Sequence, residues 1–142
     1  MSVTRVSPEE AQRLMDKEGY VYVDVRSVPE FEAGHPKGAY NVPLKHLEAT
    51  GYSDNPDFFA VMEAAFGKNA KVVVGCKTGG RSLAAAQALL EEGFACVVDQ
   101  RAGYVGTFGP QGPESGWAPK GLPTSQAAEP GRAYSDLAPK GQ

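Results

Sequence analysis

The chain is poor in the residues that build ligand cages and covalent frameworks. It has two cysteines, Cys76 and Cys96, and two histidines in 142 residues. Two thiols cannot form a disulfide framework. No Cys or His cluster has the spacing of a structural zinc site, so neither a metal nor a cofactor is expected. No apolar run approaches the ~20 residues of a membrane-spanning helix. The opening stretch MSVTRVSPEEAQ lacks the apolar core of a secretory signal. With nothing marking export or a membrane, the cytoplasm is the default compartment, where both thiols would stay reduced. Charge is also nearly balanced. A net charge of -3 gives no reason to expect nucleic acid or an anionic membrane as a partner. What remains is a composition with 42% hydrophobic and 22% charged residues, ordinary for one globular domain with one core.

Helical and strand patterns alternate. Ser7-Pro8-Glu9-Glu10 carries cap, first-turn proline and an acid three residues after the cap, and Ala11, Leu14 and Met15 follow at helical spacing up to Gly19. Tyr20 to Val25 is a β-rich apolar run. Pro29 to Ala33 reads as a helical turn, Gly34 to Gly38 as a loop and Tyr40 to Val42 as a short strand. Asp57 to Phe66 is a helix, Lys71 to Gly75 a strand, and Arg81 to Glu92 a helix stopped by Gly93. Phe94 to Asp99 is the last clear strand. The alternation predicts an α/β fold with a central parallel sheet. Six prolines and six glycines between Gly109 and Gln142 argue against regular structure there. Trp117, Leu122, Tyr134 and Leu137 are the residues that would pin this stretch to the core.

One segment carries chemistry. Val72-Val73-Val74-Gly75 leads into Cys76-Lys77-Thr78-Gly79-Gly80-Arg81-Ser82, and a helix follows at once. In open parallel sheets, ligand sites lie at the carboxyl ends of strands, where Cys76 falls. Two glycines let the loop curl and turn N–H groups inward as an anion-binding nest. The helix N-terminus adds partial positive charge, and Lys77 and Arg81 add full charges. All of these favour thiolate over thiol. A lone cysteine is more often a small buried hydrophobe, but strand, glycine loop, cations and helix fall together here in one short window.

The segment CKTGGRS resembles the active-site loop of rhodanese-like domains, a six-residue cradle from Cys76 to Arg81 in this chain. The upstream residues Asp24-Val25-Arg26, Glu30-Phe31-Glu32-Ala33-Gly34-His35-Pro36-Lys37-Gly38-Ala39 and Asn41-Val42-Pro43 are similar to that family's DVR, E(Y/F)xxGHIxGA and N(I/V)P patterns. Pro36 departs from the usual Ile. Trp117 and Gly121-Leu122-Pro123 resemble its tail motif, so the likeness runs over roughly residues 3–125. It implies a three-layer rhodanese-like domain over residues 1–125, with helices flanking the sheet. The Pro/Gly-rich tail over 126–142 is expected to dock on the core through the apolar residues named above. It also implies a sulfurtransferase. A small donor such as thiosulfate or a persulfide passes sulfur to Cys76, and the resulting persulfide gives it to cyanide, a thiol or a protein acceptor. A specialised carrier serving one protein partner is the alternative. A cysteine phosphatase is disfavoured, because phosphatases carry C-x5-R where Cys76 to Arg81 is C-x4-R. A non-catalytic module of the family would typically lack the cysteine.

Other residues are expected to support the loop. Arg81 would fix it by hydrogen-bonding its carbonyls, or neutralise a donor anion. Lys77 points outward, where it meets an anionic donor or is plain surface charge. Asp24, Arg26 and Glu30 form a polar scaffold of structural ion pairs beneath or beside the loop. The resemblance implies that His35 stabilises its own loop rather than acting as a base. Cys96 is expected in the core, within Phe94-Ala95-Cys96-Val97-Val98, and not as a resolving thiol. The family has only a handful of residues between the glycines after the last strand and the Trp. Here thirteen separate Gly103 from Trp117, an extra loop over 104–116.

Overall fold

A computed structural model of the chain describes residues 2–110, 112–126 and 129–138. β1 (Thr4–Val6) opens it. α1 (Pro8–Lys17) starts where Ser7 Oγ accepts the Glu10 N–H at 3.1 Å, with Pro8 in the first turn and Ala11 and Leu14 facing inward. β2 (Val21–Asp24) and α2 (Val28–Ala33) follow, and Glu30 reaches back to the Ser27 N–H and hydroxyl at 3.1 and 2.8 Å. Next come β3 (His35–Pro36), β4 (Tyr40–Asn41), β5 (Lys45–Glu48), β6 (Gly51–Asp54) and α3 (Phe58–Phe66). β7 (Lys71–Gly75), α4 (Gly80–Glu91) and β8 (Cys96–Gln100) form the centre. The chain ends with β9 (Gly106–Gly109), β10 (Gly112–Ser115), β11 (Thr124–Ser125) and α5 (Tyr134–Leu137).

The main sheet has the order β1-β8-β7-β2-β4, and every pair in it is parallel. The central strands need apolar side chains on both faces, because helices cover both. On one face Val23, Val72 and Val74 meet Phe58, Val61 and Met62 of α3 and Ala85, Ala86 and Leu89 of α4. On the other, Tyr22 and Val73 meet Ala11 and Leu14 of α1 together with Trp117. The result is the three-layer α/β arrangement with a central parallel sheet. No described helix is long and apolar enough to cross a membrane.

The structure adds strands to the expected elements and corrects several expectations. β1 is a parallel edge strand, with Arg5 opposite Asp99. Its three residues are too few to show a pattern, and the open edge of β8 supplies the pairing. Residues 35–36 are not free loop but pair with Thr124 and Ser125. Lys45–Glu48 and Gly51–Asp54 form a hairpin that the polar sequence did not announce. The Pro/Gly-rich stretch is also more regular than its composition suggests. β9 and β10 pair, with Gly112 opposite Gly109. A two-stranded ribbon tolerates Pro113 because both its strands are edges. In the last stretch, Tyr134 and Leu137 pack against the core and Asn55 donates to Tyr134 Oη at 3.2 Å. Residues 127–128 and 139–142 of that tail, and Gln111 of the extra loop, lie outside the described residues. Cys96 is half-buried at the start of β8 rather than inside the core, with its Sγ 3.2 Å from Tyr20 Oη.

Trp117 anchors one layer. It is fully buried, meets the Tyr22 ring edge-on at 5.4 Å and donates its indole N–H to the Pro123 carbonyl at 2.7 Å. Trp117→Ala is expected to destabilise the protein by about 3–5 kcal/mol. Urea unfolding checks this, and a loss under about 1 kcal/mol would show that the site collapses without the indole.

Candidate active site

Cys76 follows the last residue of β7 and is 2% exposed. The chain then turns through Lys77, Thr78 and Gly79 into α4. Gly79 has φ 99°, a backbone conformation that L side chains rarely adopt. A Cβ there would also collide with the Arg101 carbonyl. This turn brings the Gly79 N–H to 3.1 Å from Cys76 Sγ, and the Ser82 N–H, in the first turn of α4, to 3.3 Å. Ser82 Oγ lies 3.4 Å from Sγ and donates to the Gly79 carbonyl at 3.4 Å. Two main-chain donors and a helix N-terminus therefore converge on one sulfur.

The loop is held from behind. Tyr104 N–H donates to the Cys76 carbonyl at 2.8 Å and Val105 N–H to the Lys77 carbonyl at 3.1 Å. Gln100 shapes the turn that presents them. Its Oε1 accepts the Ala102 and Gly103 N–H groups at 2.8 and 3.0 Å, and its Nε2 donates to the Gly103 carbonyl at 2.9 Å. Gly103, at φ 73°, leaves no room for a Cβ against the Lys77 carbonyl. Arg5 completes the clamp. It pairs with Asp99 at 2.7 Å and donates to the Gly79 carbonyl at 3.2 Å. Asp99 is fully buried, and burial pushes its carboxyl up against the opposing pull of Ser82 and Arg5. Arg5, Asp99 and Gln100 are functional neighbours that sequence reasoning missed. Their only signal was a polar residue in or beside an apolar run.

The other site residues fall into separate groups. Lys77, Thr78 and Gly80 are exposed. Arg81 does not serve the loop carbonyls as expected. Its guanidinium donates to both Glu30 carboxylate oxygens, at 2.8 and 3.0 Å, and lies 5.0 Å from the Tyr52 ring centre. The carbonyl expected of it is held by Arg5 instead. Burial raises the Glu30 carboxyl, yet hydrogen bonds from Arg81 and Ser27 outweigh it and hold the group down at about 2. Asp24 and Arg26 form their own buried pair at 2.7 Å. Arg26 also donates to the Gly34 carbonyl at 2.6 Å and lies over the Tyr104 ring at 4.5 Å. So the three scaffold residues make two separate ion pairs, Asp24 with Arg26 and Glu30 with Arg81, rather than a single network. His35 is fully buried, stacked on Phe31 at 3.6 Å, with Nδ1 2.7 Å from the Phe31 carbonyl. The extra loop over 104–116 is the β9–β10 hairpin, tied to the backing turn by Arg101 and Glu114 at 2.9 Å. Among the described residues, no group of three or more His, Cys, Asp or Glu could hold a metal ion.

Comparisons with known proteins show the family and the fold. Residues 7–107 match the family model of the rhodanese-like domain. Thiosulfate sulfurtransferase 16, chloroplastic, of Arabidopsis thaliana is 43% identical over 106 residues, covering 75% of this chain and 80% of that protein. Rhodanese-like domain-containing protein 15, chloroplastic, of the same plant is 37% identical over 98 residues, 69% of this chain and 54% of that protein. The crystal structure of Rv0390 from M. tuberculosis superposes with a TM-score of 0.72 at 26% identity, covering 89% of this chain and all of that one. The cytoplasmic expectation is overturned by these relatives. Both plant proteins are chloroplastic by name.

The low Glu30 carboxyl has a consequence for acid stability. A carboxyl held below its ordinary value stabilises the fold when ionised. That contribution is complete above pH about 4.5 and is lost as pH falls through about 2. Between these limits the Tm of the wild type is expected to fall more steeply than that of Glu30→Gln. Parallel Tm–pH curves would show that the pair contributes nothing.

Proposed function

This chain belongs to the rhodanese-like domain family, and from that premise we propose that it is a sulfurtransferase carrying sulfur as a persulfide on Cys76. The observation that supports this best is the convergence of the Gly79 and Ser82 N–H groups on Cys76 Sγ. Preorganised donors stabilise negative charge on sulfur without reorganising during the reaction. In the first step the Cys76 thiolate attacks the outer sulfur of a donor such as thiosulfate or a persulfide. The donor's S–S bond breaks, and sulfite or a thiol leaves with the bonding pair. In the second step a thiophilic acceptor, such as cyanide or a thiol, free or on a protein, attacks the terminal sulfur and regenerates the thiolate. Splitting one transfer into two is covalent catalysis, and its electrons balance without an outside oxidant. Arg5, Asp99 and Gln100 act in this scheme as positioning residues, because they hold the backbone that supplies the donors.

Cys96 has no role in the scheme. It lies opposite Lys71, five residues before Cys76, and so about 16 Å away along the strand direction. A disulfide needs Cα atoms within about 7 Å.

Cys76→Ser is expected to abolish both the gain of one sulfur atom in intact mass after thiosulfate and the formation of thiocyanate on adding cyanide, with the circular dichroism spectrum unchanged. Cys96→Ala is expected to keep its transfer rate within about two-fold of wild type. Thiocyanate made by folded Cys76→Ser, or extra sulfur mapped to the Cys96 peptide, would sink the scheme.

A further inference from the structure

The carboxyl end of the sheet carries many cations, and nearly all are already matched. Arg81 is paired with Glu30, Arg26 with Asp24, Arg5 with Asp99, Arg101 with Glu114 and Lys45 with Asp54. Lys77 is exposed and has no ionic partner among the described residues. The mouth of the cradle therefore presents about one free positive charge where the loop sequence alone suggested two. The Arg81–Glu30 pair is fixed by two hydrogen bonds, with side chains 18% and 17% exposed, so Glu30 cancels Arg81 at close range.

A partly apolar lip stands beside that pair, with the Tyr52 hydroxyl donating to Glu30 at 3.4 Å. Tyr52 lies against the Arg81 guanidinium and is 50% exposed. Leu47, 43% exposed, is directly opposite it across the β5–β6 ladder. Directly opposed residues share one face of a ribbon. An arriving donor thus meets a neutralised arginine flanked by exposed hydrocarbon.

Resting on the reading that Cys76 accepts sulfane sulfur, we infer that this site selects an organic persulfide of low charge over dianionic thiosulfate, with Glu30 as the specificity-determining residue. The donor is an alkyl hydropersulfide, R–S–S–H. The Cys76 thiolate attacks its outer sulfur, a new S–S bond forms to Cys76, the old one breaks, and the proton leaves with the thiol R–S–H. Charge and electrons balance, since one anion is consumed and one persulfide anion is made. The alkyl group R has Leu47 and Tyr52 to rest on. Thiosulfate offers no hydrocarbon, and its second charge finds only Lys77.

The test is the single-turnover rate of sulfur loading on Cys76, followed by intact mass, with thiosulfate and with propyl hydropersulfide. Each rate is divided by that donor's rate with free cysteine to remove intrinsic reactivity. The wild type is expected to favour the hydropersulfide. Glu30→Gln keeps an acceptor for the Ser27 N–H, since glutamine suits the same capping position, and removes the charge. It is expected to raise the thiosulfate-to-hydropersulfide ratio about two- to five-fold at low salt, with the gain shrinking as salt screens it. Lys77→Ala, at an exposed position that does not endanger folding, is expected to lower the ratio. Ratios unmoved in both variants, while loading proceeds from both donors, would overturn the inference. If the wild type loads from neither donor, the sulfur-transfer reading itself falls and the donor preference with it.

Discussion

The grip of the 100–105 turn on the back of the Cys76 loop is the constraint on which the site depends. A sulfur cradle built from main-chain N–H groups has no side chain to aim it, so it is only as well defined as the backbone behind it. Peptide planes are rigid, so pinning several carbonyls in a short loop leaves little freedom to the peptides between them. Tyr104 and Val105 pin the Cys76 and Lys77 carbonyls, and Arg5 and Ser82 pin that of Gly79. The tied carbonyls belong to the peptides on either side of the one that carries the Gly79 N–H, so that peptide is held with its N–H toward the sulfur. The close approach is possible because Gly79 and Gly103 interlock, each lying against the other segment's carbonyl where a Cβ would collide.

The charged residues around this clamp serve geometry more than cohesion. A buried ion pair repays its desolvation poorly, so it is weak support for stability. Each pair here also holds backbone. Arg26 reaches the Gly34 carbonyl, Arg5 the Gly79 carbonyl, and Glu30 the Ser27 N–H. Asp24 and Arg26 thereby fix the exit of α2, Glu30 fixes its entry, and Asp99 with Arg5 fixes the loop. A side effect is that the cradle's cations reach the solvent largely spent, which among the described residues leaves Lys77 as the free charge at the mouth.

The loop itself was legible in the sequence because its physics is local. A strand end, two glycines and a helix start occupy adjacent positions, and Ser7 before Pro8 marked α1 in the same way. The backing was not legible, because it is long-range. Arg5 meets Asp99 across 94 positions, and Glu30 meets Arg81 across 51. Nothing local to either residue announces its partner. The loop carbonyls are the acceptors nearest to Arg81 in sequence, but a carboxylate from α2 is the stronger competitor. The hairpins escaped for a related reason. Their residues bury little, so they carry no alternating apolar pattern, and pairing alone defines them.

The thirteen residues between Gly103 and Trp117 show how this clamp accommodates an insertion. Trp117 N–H donates to the Gly103 carbonyl at 2.9 Å, and Gly116 N–H to the Val105 carbonyl at 3.3 Å. The two ends of the segment are thus hydrogen-bonded to each other, as they would be in a short connection. The extra length leaves the sheet as β9, returns as β10 and closes on itself, adding only a slowly growing loop-closure cost. Because its base is the turn that holds Cys76 and Lys77, the hairpin is seated at the active-site end without entering the cradle. Arg101 and Glu114 fasten it there, and Phe108, 85% exposed, projects from it into solvent. Variation in this segment can therefore alter what surrounds the cradle while the N–H groups that face the sulfur stay where the turn has put them.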